Sequence, residues 1–264
     1  MVLLALQRIA GVLGLLTLCL LDPRVLFAAD RHPDLLIGAA SNLTDAFRVI
    51  GPQFEAASGI HPVFSFGSTA QLARQMENGA PFDLIAAADA EHIEALDAKG
   101  LLVPGSRAVY AKGVLALWFP ASGKTLRDLT SSRVRIIAIA KPELAPYGAA
   151  AVEALKRAGL WTEIEKEVVY AENISMARQY GASGNADAVL TAYALVIHEQ
   201  GSVVLLDPKL YSPIDQVLAI SAASKQRTAA QRFSEYLRTG KGRDTLASFG
   251  YGAPNNPARG AHAK

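Results

Sequence analysis

From residue 35 onward the apolar positions switch between two rhythms, and the switching predicts repeated strand–turn–helix units. Leu35-Leu36-Ile37 is a short apolar run ending in Gly38-Ala39-Ala40, after which Leu43, Ala46, Val49, Ile50 and Phe54 recur at helical spacing. Val63-Phe64-Ser65-Phe66 reads as a strand, Gly67 punctuates it, and Leu72, Ala73 and Met76 carry a second helix. Asp83–Ala88 reads as a third strand and Ala90–Lys99 as a third helix, closed by Gly100. This alternation is the signature of βαβ units and a mostly parallel sheet.

A second set follows. Val114–Phe119 and Val134–Ala138 are predicted strands, and Tyr147–Ala158 a helix ended by Gly159. Val168–Tyr170, Ala188–Thr191 and Val203–Leu206 extend the strands, with a helix over Ser175–Tyr180. Gln216–Ile220 then leads to two terminal helices, Thr228–Leu237 and Gly242–Phe249. Two such sets suggest an α/β fold of two lobes facing across a cleft. Ligands of such sheets bind beyond the carboxyl ends of strands, where helices begin.

The first 29 residues do not join this pattern. Arg8 precedes the apolar run Ile9–Leu21, and the small pair Ala28-Ala29 lies at its exit, as in a secretory signal. The run is short for a spanning helix, which needs about 20 residues. Cys19, the one cysteine, lies in that run, so cleavage leaves no thiolate or disulfide chemistry. With 26 basic and 24 acidic residues mixed along 264, no basic run points to nucleic acid.

Several candidate chemistries fail. Pro120-Ala121-Ser122-Gly123-Lys124-Thr125 ends like a phosphate loop, but Trp118 stands where that loop requires glycine. The histidines form no zincin pair, and Asp89, Glu91 and His92 lack a second ligand cluster and read as an acidic first turn. No Gly-x-Ser-x-Gly elbow presents a nucleophile.

Four helix starts survive: Ala39-Ala40-Ser41-Asn42-Leu43-Thr44, Phe66-Gly67-Ser68-Thr69-Ala70-Gln71, Ala145-Pro146-Tyr147-Gly148 and Glu172-Asn173-Ile174-Ser175. Each offers unpaired N–H groups at the positive end of a helix, and Ser, Thr, Asn and Tyr add donors without charge. Taken singly, Asn42 with Asp45 and Ser68 with Gln71 fit capping boxes, and Pro146 is a first-turn proline. Their recurrence is what suggests an anion site.

Over residues 34–253 the chain resembles the periplasmic molybdate-binding proteins of ABC importers. The resemblance is carried by the first three of these segments, by Leu72-Ala73-Arg74-Gln75, and by Gly79–Leu84 with Ala87-Ala88-Asp89. It implies a type II periplasmic binding protein: residues 30–112 and 218–253 as one lobe, 113–217 as the other, preceded by a signal over 1–29 and followed by a disordered tail over 254–264. It further implies a monomer that captures molybdate or tungstate, with Ser41, Asn42, Ser68, Thr69, Tyr147 and the backbone around Ile174 as donors. No cofactor or metal cation is implied, and the partner is a membrane permease with its ATPase. Some relatives carry a tyrosine where Ala192 stands here. Tyr193 is one residue on, and Tyr147 looks like the alternative donor.

A neutral shell suits a fully deprotonated tetrahedral dianion, because charge-assisted hydrogen bonds offset the cost of burying it. A protonated phosphate would need an acceptor, and Asp45 and Glu172, the carboxylates near the junctions, read as first-turn acids. Sulfate or phosphate remains open as the ligand, and an exported enzyme acting on an anionic substrate is the alternative of another class.

Overall fold

The computed structural model describes residues 34–121 and 123–254. The signal and Cys19, and the tail beyond Pro254, lie outside the described residues. Two five-stranded sheets organise the rest.

The first sheet contains β1 (Leu35–Ala40), β2 (Pro62–Gly67), β3 (Leu84–Ala87), β4 (Ala108–Gly113) and β10 (Ile214–Ile220), in the order β2-β1-β3-β10-β4. The second contains β5 (Leu115–Phe119), β6 (Ile137–Ala140), β7 (Val168–Ala171), β8 (Ala188–Ala192) and β9 (Ser202–Leu205), in the order β7-β6-β8-β5-β9. In each, the strand in fourth place runs antiparallel to both neighbours, and the other pairings are parallel. That antiparallel strand is always the one that has just arrived from the other sheet: β5 follows β4 across Val114, and β10 follows β9 across residues 206–213.

Helices cover both faces of each sheet. In the first lobe α1 (Thr44–Ser58), α8 (Arg227–Arg238) and α9 (Gly240–Ser248) bury Phe47, Phe54, Phe233 and Leu246 against Leu35, Ile37 and Leu218. The opposite face takes α2 (Thr69–Glu77) and α3 (Glu91–Ala98), with Leu72, Met76 and Ile93 against Ile85 and Val217. Successive strand residues point to opposite faces, which is why neighbours such as Val217 and Leu218 enter different cores.

The second lobe repeats the plan. One face of its sheet takes α4 (Pro146–Arg157) and the short α5 (Trp161–Ile164), the other α6 (Ile174–Ala182). A single turn, α7 (Tyr193–Val196), contributes Leu195 to one core and Val196 to the other. No described helix is long and apolar enough to cross a membrane.

Three expectations shift. The lobe boundary implied at 217/218 lies earlier: Ile214 already pairs with Gly113, so Gly113 and all of β10 belong to the first sheet. Ile214 and Asp215 precede the run read at Gln216–Ile220, and Gln216 is fully buried despite its polarity. The strand expected at Val134–Ala138 lies at Ile137–Ala140, and β4, whose apolar stretch Ala108–Ala111 is cut short by Lys112, was not among the predicted strands.

Candidate functional site

The four hydroxyl-rich junctions converge where the lobes meet. β1 ends in a 3-10 turn, Ser41–Leu43, that feeds α1. The Ser41 carbonyl accepts hydrogen bonds from Thr44 Oγ1 at 2.8 Å and from Ser175 Oγ, on α6 of the other lobe, at 3.0 Å. The Ala70 N–H, in the first turn of α2, donates to Leu144 O of the second lobe at 3.2 Å, and Gln71 Nε2 reaches Glu172 Oε2 at 3.5 Å. The junctions at 41, 68, 145 and 173 are thus tied to one another across the cleft.

Ser68 and Thr69 sit at the start of α2, both buried. Ser68 caps the helix in the expected box with Gln71: its Oγ accepts from Gln71 N–H, and Gln71 Oε1 accepts from Ser68 N–H. Thr69 Oγ1 accepts from the Ala88 N–H at 3.1 Å. As acceptors, both hydroxyls keep their protons for a further partner. Ser41 is 5% exposed. Ile174 is the first residue of α6, so its N–H has no intrahelical partner, while its carbonyl accepts from Thr191 Oγ1 at 3.3 Å. Asn173 is the cap of this helix and accepts from Met176 N–H.

Asn42 differs from the capping box expected of it. No side chain caps α1. The Asn42 amide instead donates to Gln216 Oε1 at 2.6 Å and Tyr251 Oη at 2.8 Å, and the Tyr251 hydroxyl donates back to Asn42 O at 2.8 Å. Both amide protons are committed, so the one donor left on Asn42 is its backbone N–H. The side chain is a brace that ties the first junction to β10 and to the C-terminal segment, whose Gly252 pairs with Lys112 of β4. Asp45, the expected box partner, pairs with Arg178 of the second lobe at 2.9 Å.

Tyr147 is 1% exposed, on the first turn of α4. Its hydroxyl is one of four buried side-chain polar atoms without a hydrogen-bond partner among the described residues, and the only one on a residue that is itself buried. Burial drives its pKa well above the ordinary value of 10, with Tyr251, Tyr110 and Tyr211 adding to the rise. The phenol is therefore neutral and a donor at any physiological pH. Gly148 lets the helix lie close to β6: a Cβ there would fall 2.2 Å from Ala140 O.

Tyr193 takes another direction. It packs with the core on the opposite face of the second sheet from Tyr147, and a Cβ on Gly250 would lie 2.4 Å from its ring. The charged groups near the cleft are engaged with one another. Arg178 holds Asp45 and Glu199, and Lys141 holds Glu172, which raises the lysine pKa through that hydrogen bond. Asp89 accepts from both His92 N–H and its ring, and the segment at Lys124-Thr125 is closed by Asp128 rather than shaped around a phosphate.

Sequence signals existed for the hydroxyl-bearing junctions. Gln216 and Tyr251, which hold the Asn42 side chain, carried none, because their contacts reach across 174 and 209 residues.

Comparison with known proteins agrees with this arrangement. The family model described as bacterial extracellular solute-binding protein matches residues 35–252. The molybdate-binding protein of Azotobacter vinelandii is 34% identical over 86% of this chain and 93% of its own, and that of Rhodobacter capsulatus 32% over 83% and 88%. The solved Azotobacter vinelandii periplasmic molybdate-binding protein superposes with a TM-score of 0.81 at 30% identity, covering 84% of this chain and all of that one. A sulfate-binding protein from Mycobacterium tuberculosis, with a TM-score of 0.72 at 16% identity, shares the fold alone. By fold, by the extent of the match and by identity to these relatives, the chain belongs to the bacterial extracellular solute-binding proteins, alongside the molybdate-binding proteins.

Proposed function

We propose that this protein captures molybdate, and tungstate with it, in the periplasm and delivers it to the permease of an ABC importer and its ATPase. Ser41, Ser68 and Thr69 donate from the first lobe, together with the Asn42 N–H. Tyr147 and the Ile174 N–H donate from the second. The observation that carries this reading is the Tyr147 hydroxyl: a buried, neutral donor with no protein partner, beside a convergence of helix starts. Leaving such a group unsatisfied costs about 1–3 kcal/mol, which an anion accepting from it recovers.

A site of fixed neutral donors selects by shape and size rather than by charge alone. Donors from both lobes meet only when the lobes meet, so ligand binding favours the closed form, and the closed outline is what a permease would recognise. The protein acts as a monomer, releasing its ligand unchanged rather than turning it over.

Thermal unfolding with molybdate, tungstate, sulfate and phosphate tests this. A ligand at 100 times its dissociation constant stabilises by about 2.7 kcal/mol, and that shift is expected with molybdate and tungstate. A shift with sulfate or phosphate alone would reassign the ligand; a shift with none of the four would remove the reading.

A further inference from the structure

Tyr147 reaches the site from the second lobe, yet what stops its hydroxyl lies on the first. Gly113 is the last residue of β4, buried, and opposite Ile214 in the ladder. A Cβ on Gly113 would lie 2.2 Å from Tyr147 Oη, 2.8 Å from its Cζ and 3.0 Å from Gln216 Nε2. The first two distances are closer than a side-chain carbon can approach. Gly113 is absent from the glycines with positive φ, so its backbone would accept alanine. The glycine is required there for space, not for torsion.

Gln216 is held on both ends of its amide. Its Oε1 accepts from Asn42, and its Nε2 donates to Ile214 O at 3.3 Å. The phenol of Tyr147 therefore abuts a wall made from β4 and β10 at the point where the chain crosses between lobes. The rest of the ring is packed in the second-lobe core, which is close to incompressible. A Cβ at 113 could be accommodated only by moving the hydroxyl off this wall.

We propose that Gly113, backed by Gln216, is a specificity-determining residue: the space left by its missing side chain sets how far the Tyr147 hydroxyl stands from the opposite donors, and so the size of tetrahedral anion admitted. This rests on reading Tyr147 as an anion donor. A Cβ at this position drives the hydroxyl into the cleft, shortens the span between donors, and favours a smaller oxyanion.

The test is calorimetric titration of the full chain and its Gly113→Ala, Tyr147→Leu and doubly substituted variants with molybdate and sulfate. Leucine keeps bulk in the core but lacks the ring atoms that a Cβ at 113 would meet. Gly113→Ala is expected to weaken molybdate by roughly tenfold or more and to move the sulfate-to-molybdate affinity ratio toward sulfate by a similar factor. In the Tyr147→Leu background the same change should leave both affinities where they were.

An unchanged ratio in Gly113→Ala, or an equal loss in both backgrounds, overturns the proposal while leaving Tyr147 as a donor. Failure of the unsubstituted chain to bind either anion would instead remove the underlying reading. Gln216→Asn tests the same wall from behind, by withdrawing the amide one methylene. It should move the ratio toward molybdate, and no movement, or movement toward sulfate, overturns the proposal even if Gly113→Ala does not fold.

Discussion

At the residue scale, the site divides into groups that wait for a ligand and groups that hold them in place. Tyr147 belongs to the first kind. Removing its hydroxyl deletes a buried polar atom that has no partner among the described residues, so Tyr147→Phe should leave ligand-free stability unchanged or slightly raised. The same change should weaken molybdate by roughly tenfold to a hundredfold, the worth of one hydrogen bond to a charged acceptor. Denaturant unfolding beside calorimetry separates the two effects, and a loss in both would mean that the hydroxyl has a structural role. Asn42 belongs to the second kind. Asn42→Ala strands Gln216 Oε1 and removes the donor to Tyr251 Oη, which keeps only its bond to the residue 42 carbonyl, and should cost about 1–3 kcal/mol in urea unfolding. The sequence near Asn42 suggested a helix cap, because Asp45 stands at the right spacing. What decided otherwise was two partners brought in by the tertiary fold, which no local pattern encodes.

At the scale of elements, α1 and α6 are fastened across the cleft by Arg178, which bridges Asp45 of the first lobe and Glu199 of its own. The Arg178 and Asp45 side chains are 29% and 21% exposed, so the pair is worth at most about 1 kcal/mol. That is enough to matter for an equilibrium between open and closed lobes. Asp45→Asn should raise the molybdate dissociation rate a few-fold, and added salt should raise it in the parent protein but hardly in the variant; stopped-flow release at several ionic strengths would read this. Central strands with buried apolar runs, such as β1, β3 and β8, were legible because both faces demand hydrophobic residues. β4 was not, since Lys112 lies within it and its burial is mixed.

At the scale of the whole molecule, four tyrosines, Tyr110, Tyr147, Tyr211 and Tyr251, are buried with their pKa values raised chiefly by desolvation. The unfolded chain releases these protons near pH 10, while the folded chain keeps them. The stability they confer is therefore full below that pH and is lost as pH rises beyond it, toward their folded pKa values. Thermal unfolding should show a plateau through neutral pH and a steep alkaline decline, shallower in Tyr110→Phe. The two-lobed plan itself was legible from the doubled strand–helix rhythm, whereas the point of return at Ile214 was not, because it is set by pairing with the distant Gly113 rather than by a local pattern.

The pairing of Gly113 with Ile214 has one more consequence. These two residues face each other directly in an antiparallel ladder, and the strands between them, β5 through β9, all belong to the other sheet. The second lobe is therefore an insertion at the tip of a β-hairpin. Replacing residues 114–213 with Asn-Gly, a pair suited to a two-residue type I′ turn, would join β4 to β10 without changing their register. The resulting miniature protein should keep all five strands of the first sheet and fold alone, and circular dichroism with hydrogen exchange would establish whether it does. It would carry Ser41, Ser68 and Thr69 but no tyrosine facing them, a receptor cut down to one jaw.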